Sequence, residues 1–186
     1  MDRIPTKKLV FMAFLTALSV ILTRLLSVHI SFGGVEGIRI GIGGLPIIFS
    51  GIMFGPVAGG IVGAVADVIG YLLNPMGPYM PHFTFTAFLT GFIPGIMICY
   101  LFRRKLNYFT LLVSIGTGQL ISSVILVPIF LENLFGVPLV GALPPRIITQ
   151  LINIPLYSYL VLVLCRYELF SAQAIECGDS FKSPCL

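Results

Sequence analysis

Long apolar runs alternate along the chain with short breaks that are polar or rich in glycine and proline. A helix needs about 20 apolar residues to cross a bilayer, because it rises 1.5 Å per residue. The runs predict six membrane-spanning helices, at 8–28, 44–54, 56–74, 83–102, 108–135 and 146–166. The second run is short, and Gly55-Pro56 separates it from the third, so we expect it to be tilted or only partly inserted.

The composition agrees with a membrane location. Of the 186 residues, 57% are hydrophobic and 10% are charged, whereas soluble domains average about 25% charged residues. We therefore expect an all-α integral membrane protein with a single six-helix domain at 1–166 and a polar C-terminal tail at 167–186. Five further apolar runs follow the first one, so we expect that first run to be retained rather than cleaved as a signal peptide.

The basic residues predict the orientation. With six spans, eight of the 11 Lys and Arg residues fall on one side, and the other side holds Arg24, Arg39 and Arg146. Because cytoplasmic segments carry the excess of Lys and Arg, both termini are predicted to be cytoplasmic. Glycine and proline are frequent in the outer connections, which are 28–44, 74–82 and 136–145. This favours a ligand pocket on the extracellular side, although flexible surface loops are the alternative.

One carboxylate lies inside the third apolar run. A charge at that depth costs about 2.5–3.5 kcal/mol on insertion scales, and such residues usually mark a site for an ion or a solute. Residues spaced by four share one helical face, and here they are Gly59, Gly63, Asp67 and Tyr71. We predict that Asp67 lies at the floor of an outward-facing pocket, with Tyr71 beside it. The alternative is a structural ion pair between Asp67 and Arg24 or Arg146.

A polar stripe runs along the sixth predicted span. It consists of Arg146, Gln150, Asn153 and Tyr157, spaced as on one face of a helix. Such a stripe can join helices, at about 0.6 kcal/mol per hydrogen bond in membranes, but an arginine, two amides and a phenol favour contact with a ligand. The outer arginines match ligand carboxylates, and three outer aromatic residues can stack on a flat ring: Phe32, Tyr79 and Phe83.

Several chemistries lack their signatures in this sequence. There is no P-loop, no H-E-x-x-H, no G-x-S-x-G and no pair of intramembrane carboxylates. The four cysteines show no C-x-x-C spacing, and the two histidines lie far apart, so neither disulfides nor a metal site is expected. The chain is also short for the inverted repeats of a secondary transporter. We therefore expect a binding protein that is not an enzyme, needs no cofactor and obtains its energy from a partner.

Particular residues resemble a known family. The Ala13 and Ala17 pair of the first span, the run ADVIGYLLNPMGPY in the third, and PPRIITQLINIPLYSY in the sixth resemble the substrate-binding S components of energy-coupling-factor (ECF) vitamin transporters. The resemblance covers about residues 7–166 and is closest to the folate-specific members.

The resemblance implies a function, a location and partners. An S component lies in the bacterial plasma membrane, binds its vitamin at the outer face, and docks on a transmembrane coupling protein that carries two ATPase subunits. Ala13 and Ala17 would contact the coupling protein, and nucleic acid is not an expected partner. The ligand would be folate; the alternatives are riboflavin, thiamine or pantothenate, or, in another class, a small membrane channel or enzyme.

Folate chemistry matches the candidate residues. The pterin ring presents an amino group and an adjacent ring N–H, and one carboxylate can accept both hydrogen bonds. Asp67 is the candidate for this role, while Gln150 and Asn153 are candidates for the remaining pterin edge. The three outer arginines are candidates for the two carboxylates of the glutamate tail.

Overall fold

The computed structural model describes residues 6–25, 28–32, 35–73, 81–102, 107–135 and 139–166. Its helices are α1 Thr6–Leu25, α2 Gly44–Phe54, α3 Pro56–Leu73, α4 Pro81–Ile96, α5 Tyr108–Gln119, α6 Val127–Phe135 and α7 Leu139–Arg166. A π-helical segment, Met97–Leu101, extends α4, and a second one, Leu120–Leu126, joins α5 to α6 without a break. The helices lie within a few residues of the predicted spans, except that α7 begins at Leu139 instead of 146.

The helices are those of a multi-pass membrane protein. Within the described residues, four helical stretches are long and apolar enough to cross a bilayer: Pro56–Leu73, Pro81–Leu101, Tyr108–Phe130 and Arg146–Cys165. Lys8–Thr23 and Gly44–Phe54 are shorter apolar helices. With 11 residues, α2 is about 16 Å long and spans about half of a 30 Å hydrocarbon core. This agrees with the expectation that the second run is only partly inserted.

The connection at 28–44, which we predicted as a loop, instead contains a two-stranded antiparallel hairpin. Its strands are β1 Val28–Phe32 and β2 Val35–Ile40, with Val28 opposite Ile40. The sequence carries a signal for this element, because β-branched and aromatic residues flank Gly33-Gly34, a pair favoured in tight hairpins. The helical fold class therefore holds with one correction: a β-hairpin packs among the helices.

Contacts near the helix ends show that consecutive membrane helices run in opposite directions. At the end that carries the β-hairpin, here called the hairpin end, the ring of His82 in α4 lies 4.9 Å from that of Phe130 in α6. At the opposite end, the Nζ of Lys8 in α1 lies 5.8 Å from the ring centroid of Phe54 in α2. Helices α1, α3 and α6 therefore end at the hairpin end, and α2, α4 and α7 begin on that side.

Three helices meet backbone to backbone at Gly51 of α2, Gly59 of α3 and Gly91 of α4, here called the glycine node. A Cβ added at Gly59 would lie 2.8 Å from both the backbone nitrogen of Gly51 and the carbonyl oxygen of Gly91. Real Cβ contacts are essentially never shorter than 3.0 Å. Small residues permit close packing of helices in a membrane, and the three glycines do so here.

A single residue connects α2 to α3. Gly55 adopts φ 98°, a left-handed backbone conformation that only glycine adopts without steric cost. The chain therefore reverses direction at one residue, and the following Pro56 starts α3 with a fixed φ and no unsatisfied N–H. The predicted break at Gly55-Pro56 is thus a tight helix–helix junction.

We predict that Gly59→Ala destabilises the protein, because its new Cβ would meet backbone atoms of α2 and α4 that have no room to move. Overpacking of this kind costs about 2 kcal/mol, which lowers the melting temperature by roughly 4–8 °C in a protein of this size. Thermal unfolding in detergent measures the shift. The control is Gly116→Ala, whose Cβ would lie 3.6 Å from Cγ2 of Ile154, an ordinary contact. Equal melting temperatures for the two variants would contradict the prediction.

Candidate functional site

The start of α2 forms the floor of the candidate site. The segment Gly41–Gly44, which links β2 to α2, is held from two sides. Ser19 of α1 donates a hydrogen bond to the carbonyl oxygen of Gly43 at 2.7 Å, and the hydroxyl of Tyr157 in α7 donates to that of Gly41. Because α2 is short, this floor lies well inside the helical bundle rather than at its surface.

Gln119 of α5 also belongs to the floor. A Cβ added at Gly44 would lie 3.4 Å from the Tyr157 hydroxyl oxygen and 3.7 Å from Nε2 of Gln119. Both side chains are therefore beside the first turn of α2. Gln119 is 5% exposed, and its Oε1 accepts a hydrogen bond from Ser123 at 3.3 Å. The floor thus brings an amide and a phenol together with backbone of the Gly41–Gly44 segment.

The polar stripe of α7 rises from this floor toward the hairpin end. At 1.5 Å per residue, Asn153 lies about 6 Å above Tyr157, Gln150 about 10 Å and Arg146 about 16 Å. Gln150 is 8% exposed and Asn153 is 5% exposed, while Arg146 is half-buried. Strand β2 packs against α7 on the same side of the molecule. The stripe therefore lies on the buried face of α7.

Two acceptor atoms of the stripe lack hydrogen-bond donors. Within the described residues, Oε1 of Gln150 and Oδ1 of Asn153 are buried with no hydrogen-bond partner. An unsatisfied buried polar group costs about 1–3 kcal/mol, and buried polar groups in proteins are nearly always paired. Two such oxygens one helical turn apart are therefore suited to accept hydrogen bonds from a ligand.

Asp67 lies at the depth of the floor, on a different wall. Ile47 of α2 packs with Val62 and Ala66 of α3, and the helices are antiparallel, so Asp67 is level with the Gly43–Gly44 step. Its side chain is half-buried, and Oδ2 accepts a hydrogen bond from Thr84 Oγ1 at 2.8 Å. Thr84 is in the first turn of α4, where the positive end of the helix dipole also stabilises a carboxylate.

The packing of the helices separates these two walls. In the described part of the chain, α3 packs extensively with α1, α2 and α4, whereas α7 packs with α5, α6, the second π segment, α2 and β2. Asp67 and the polar stripe therefore approach the site from different sides of α2. Tyr71, which we predicted beside Asp67, lies one turn closer to the hairpin end and is half-buried.

The other predicted site residues are distributed around the hairpin end. Arg24 is in the last turn of α1, and Arg39 is in β2, opposite His29. Phe83 is half-buried in the first turn of α4. Tyr79 lies outside the described residues.

The predicted partner-contact residues lie elsewhere. Ala13 and Ala17 are exposed on α1, on a face that also exposes Val10, Phe14 and Ile21. This face points away from the floor, which contacts α1 through Ser19.

The structure adds two residues that the sequence analysis missed. Gln119 is an amide inside an apolar run, and this alone could have singled it out. Thr84 carried no such signal, because threonines in membrane helices commonly bond to their own helix backbone, as Thr90 and Thr117 do here. Among the described residues, no group of three His, Cys, Asp or Glu side chains is arranged to hold a metal ion.

Comparison with known proteins gives one family and several relatives. The family model described as "ECF-type riboflavin transporter, S component" matches residues 3–165. The chain is 31% identical over 153 residues to the folate transporter FolT of Clostridium novyi (strain NT), covering 82% of this chain and 84% of that protein. It is 25% identical over 159 residues to the FolT of Leuconostoc mesenteroides subsp. mesenteroides, covering 83% and 82%.

Solved structures are similar as well. The crystal structure of FolT bound with folic acid has a TM-score of 0.74 and 29% identity, covering 88% of this chain and 95% of the other. The S component for biotin from an ECF-type ABC transporter has a TM-score of 0.69 at 22% identity, with coverages of 89% and 95%. The latter likeness concerns the fold alone.

Proposed function

The chain belongs to the family of ECF-type transporter S components, and we propose that it is a folate-binding member. In this function it captures folate outside the cell and delivers it inward together with a coupling protein and two ATPase subunits. The observation that carries the proposal is the pair of buried, unpartnered amide oxygens on α7, which lie at the same end of the bundle as Asp67. Buried polar groups are nearly always hydrogen-bonded, so unpartnered ones in a membrane helix indicate a place where a polar ligand supplies the hydrogen bonds.

The comparisons differ in the vitamin they name, and we favour folate over riboflavin. The matching family model carries riboflavin in its description, but the relative at 31% identity is a folate transporter. The chemistry of the candidate residues supports the same choice. Pterin offers an adjacent pair of hydrogen-bond donors to a carboxylate, whereas the flavin ring offers a single ring N–H between two carbonyls. Folate also carries two carboxylates, and riboflavin carries none.

We assign roles to the candidate residues on this basis. Asp67 accepts the donor pair of the pterin. The amides of Gln150 and Asn153 pair with its remaining polar edge, where an amide oxygen accepts the second N–H of the amino group and the amide NH₂ groups donate to the carbonyl and the ring nitrogens. Tyr157 and Gln119 close the floor beneath the ring. Tyr71, Tyr79 and Phe83 are assigned to stacking and shape, and the guanidinium groups of Arg24, Arg39 and Arg146 to the glutamate tail.

The topology that suits this function has six membrane helices in one domain at 1–166, both termini in the cytoplasm and the hairpin end outside. The proposal rests on the distribution of Lys and Arg, of which eight of 11 lie on the cytoplasmic side. The partial length of α2 supports it, because a helix that starts half-way leaves the outer half for a ligand and the hairpin. The tail at 167–186 is assigned no part in binding.

We propose that the coupling protein docks on the exposed face of α1 around Ala13 and Ala17. Small residues let a partner helix approach closely in a membrane, where association depends on packing rather than on the hydrophobic effect. The neighbouring Phe14, 61% exposed, supplies apolar contact area beside them. Lipid covers this face when the partner is absent.

The proposed function predicts that the chain purifies with folate or binds it tightly when it is added. The test is purification in detergent from cells grown in folate-rich medium, followed by absorbance and mass measurements on the bound ligand. The chain contains no Trp, so ligand absorbance is readily separated from that of the protein. A co-purified flavin would transfer the assignment to riboflavin. Repeated absence of any bound ligand, with no binding of added folate, would contradict the proposal.

We predict that Asp67→Asn weakens folate binding more than tenfold, about 1.4 kcal/mol. The amide oxygen of Asn can accept a hydrogen bond from only one of the two pterin donors, and the amide NH₂, itself a donor, would face the other. Isothermal titration or a radiolabelled binding assay measures the dissociation constant. The control is Glu132→Gln, which removes an exposed carboxylate of α6. An affinity within tenfold of the wild type would show that the carboxylate does not bind the pterin and would favour the structural ion pair.

We predict that Ala17→Trp abolishes ATP-driven uptake and leaves folate affinity unchanged, because the indole prevents a partner helix from approaching α1. Uptake is measured in vesicles that contain the coupling protein and ATPases, and affinity is measured on the isolated chain. The control is Ile125→Trp, at a position 51% exposed on the second π segment, away from α1. If both tryptophan variants transport folate at the same rate, the α1 face is not the docking surface.

A further inference from the structure

The hydroxyl of Thr84 is placed to control the geometry of the Asp67 carboxylate. The oxygen that Thr84 contacts is Oδ2, at 2.8 Å, and the two residues are on different helices. The helices are in backbone contact one turn deeper, because a Cβ at Gly63 would meet the backbone carbonyl of Ala87. This contact fixes the distance between α3 and α4 one turn from the hydrogen bond, and it keeps the Thr84 hydroxyl within hydrogen-bonding distance of the carboxylate.

A carboxylate that receives two parallel hydrogen bonds must hold its plane in one orientation. The χ2 torsion of aspartate is broad, so the side chain alone does not fix that plane. An ionised carboxylate accepts about four hydrogen bonds, and the single Thr84 proton occupies one position on Oδ2. The remaining positions stay available to a ligand with two adjacent donors.

We propose that Thr84 is a positioning residue, which orients Asp67 so that its carboxylate accepts both donors of the pterin ring. The inference rests on the proposed function. It adds a residue of α4, Thr84, to the proposed binding site around Asp67 of α3. Thr84 acts through Asp67 and without direct contact to the ligand.

The competing explanation is that the hydrogen bond only joins α3 to α4. The two roles differ in one measurable respect. A positioning role requires the Asp67 carboxylate, so the effect of Thr84→Val on folate affinity should vanish once Asp67 is replaced by Asn. In a purely structural role Thr84→Val would weaken binding to a similar degree in both backgrounds, because the amide oxygen of Asn can still accept the Thr84 hydrogen bond. A double-mutant cycle separates the two cases.

The experiment measures folate dissociation constants for Thr84→Val, Thr84→Ser, Asp67→Asn and the Thr84→Val/Asp67→Asn double variant in detergent. Measured hydrogen bonds between membrane helices, from the average to the strongest, predict a loss of about threefold to twentyfold in affinity for Thr84→Val. Thr84→Ser keeps the hydroxyl and should bind within about twofold of the wild type. The double variant should bind no more weakly than Asp67→Asn alone, within about twofold.

The matched control is Thr117→Val on α5, where the hydroxyl bonds only within its own helix, to the carbonyl of Val113 at 2.7 Å. This variant should retain wild-type affinity. Each variant is first checked for a monodisperse elution profile and an unchanged melting temperature in the absence of folate. If Thr84→Val misfolds, the comparison is made with Thr84→Ala, which also removes the hydroxyl and introduces no added bulk.

Three outcomes would overturn the inference: wild-type affinity in Thr84→Val, failure of Thr84→Ser to restore binding, or an equal loss in both Asp67 backgrounds. If Asp67→Asn binds folate like the wild type, the carboxylate does not pair with the pterin, and Thr84 then has no carboxylate to position. A wild-type chain that binds no folate would contradict the proposed function itself. A wild-type chain that binds folate while Thr84→Val does so equally well would contradict only the inference.

Discussion

The backbone contact of three glycines is the constraint on which the candidate site depends, because it sets the position of the floor on α2 relative to Asp67 on α3. In a membrane, lipid is as apolar as the side chains, so helices associate through close packing rather than through the hydrophobic effect. Gly51, Gly59 and Gly91 bring the backbones of α2, α3 and α4 into direct contact. The depth of the floor at the start of α2, and its level relative to Asp67, follow from that contact.

The proposed function depends on polar side chains that the closely packed helices place in apolar surroundings. The related S component for biotin, at 22% identity, has the same fold, and the family model is named after a different vitamin. The shared fold therefore does not determine the ligand. Selectivity then depends on polar side chains, and those we propose for this chain are the carboxylate of Asp67 and the buried amides of Gln150 and Asn153.

The sequence predicted the helices well because apolar length and glycine–proline breaks are local signals. Helical spacing also placed Gln150, Asn153 and Tyr157 on one face of a helix, and in the structure all three are buried. The β-hairpin was not predicted, because its two strands are short and lie in a connection that is rich in glycine. The Asp67–Thr84 bond could not be predicted, since a partner across two helices depends on how the helices pack, and a threonine in an apolar run most often bonds to its own backbone.

The one-residue junction at Gly55 has a mechanical consequence. The single-residue junction and the glycine node together join α2 and α3 as one rigid unit. The floor at the start of α2 and the carboxylate of Asp67 on α3 therefore keep their positions relative to each other. We expect the candidate site to open through movement of the elements around α2 and α3 rather than between these two helices.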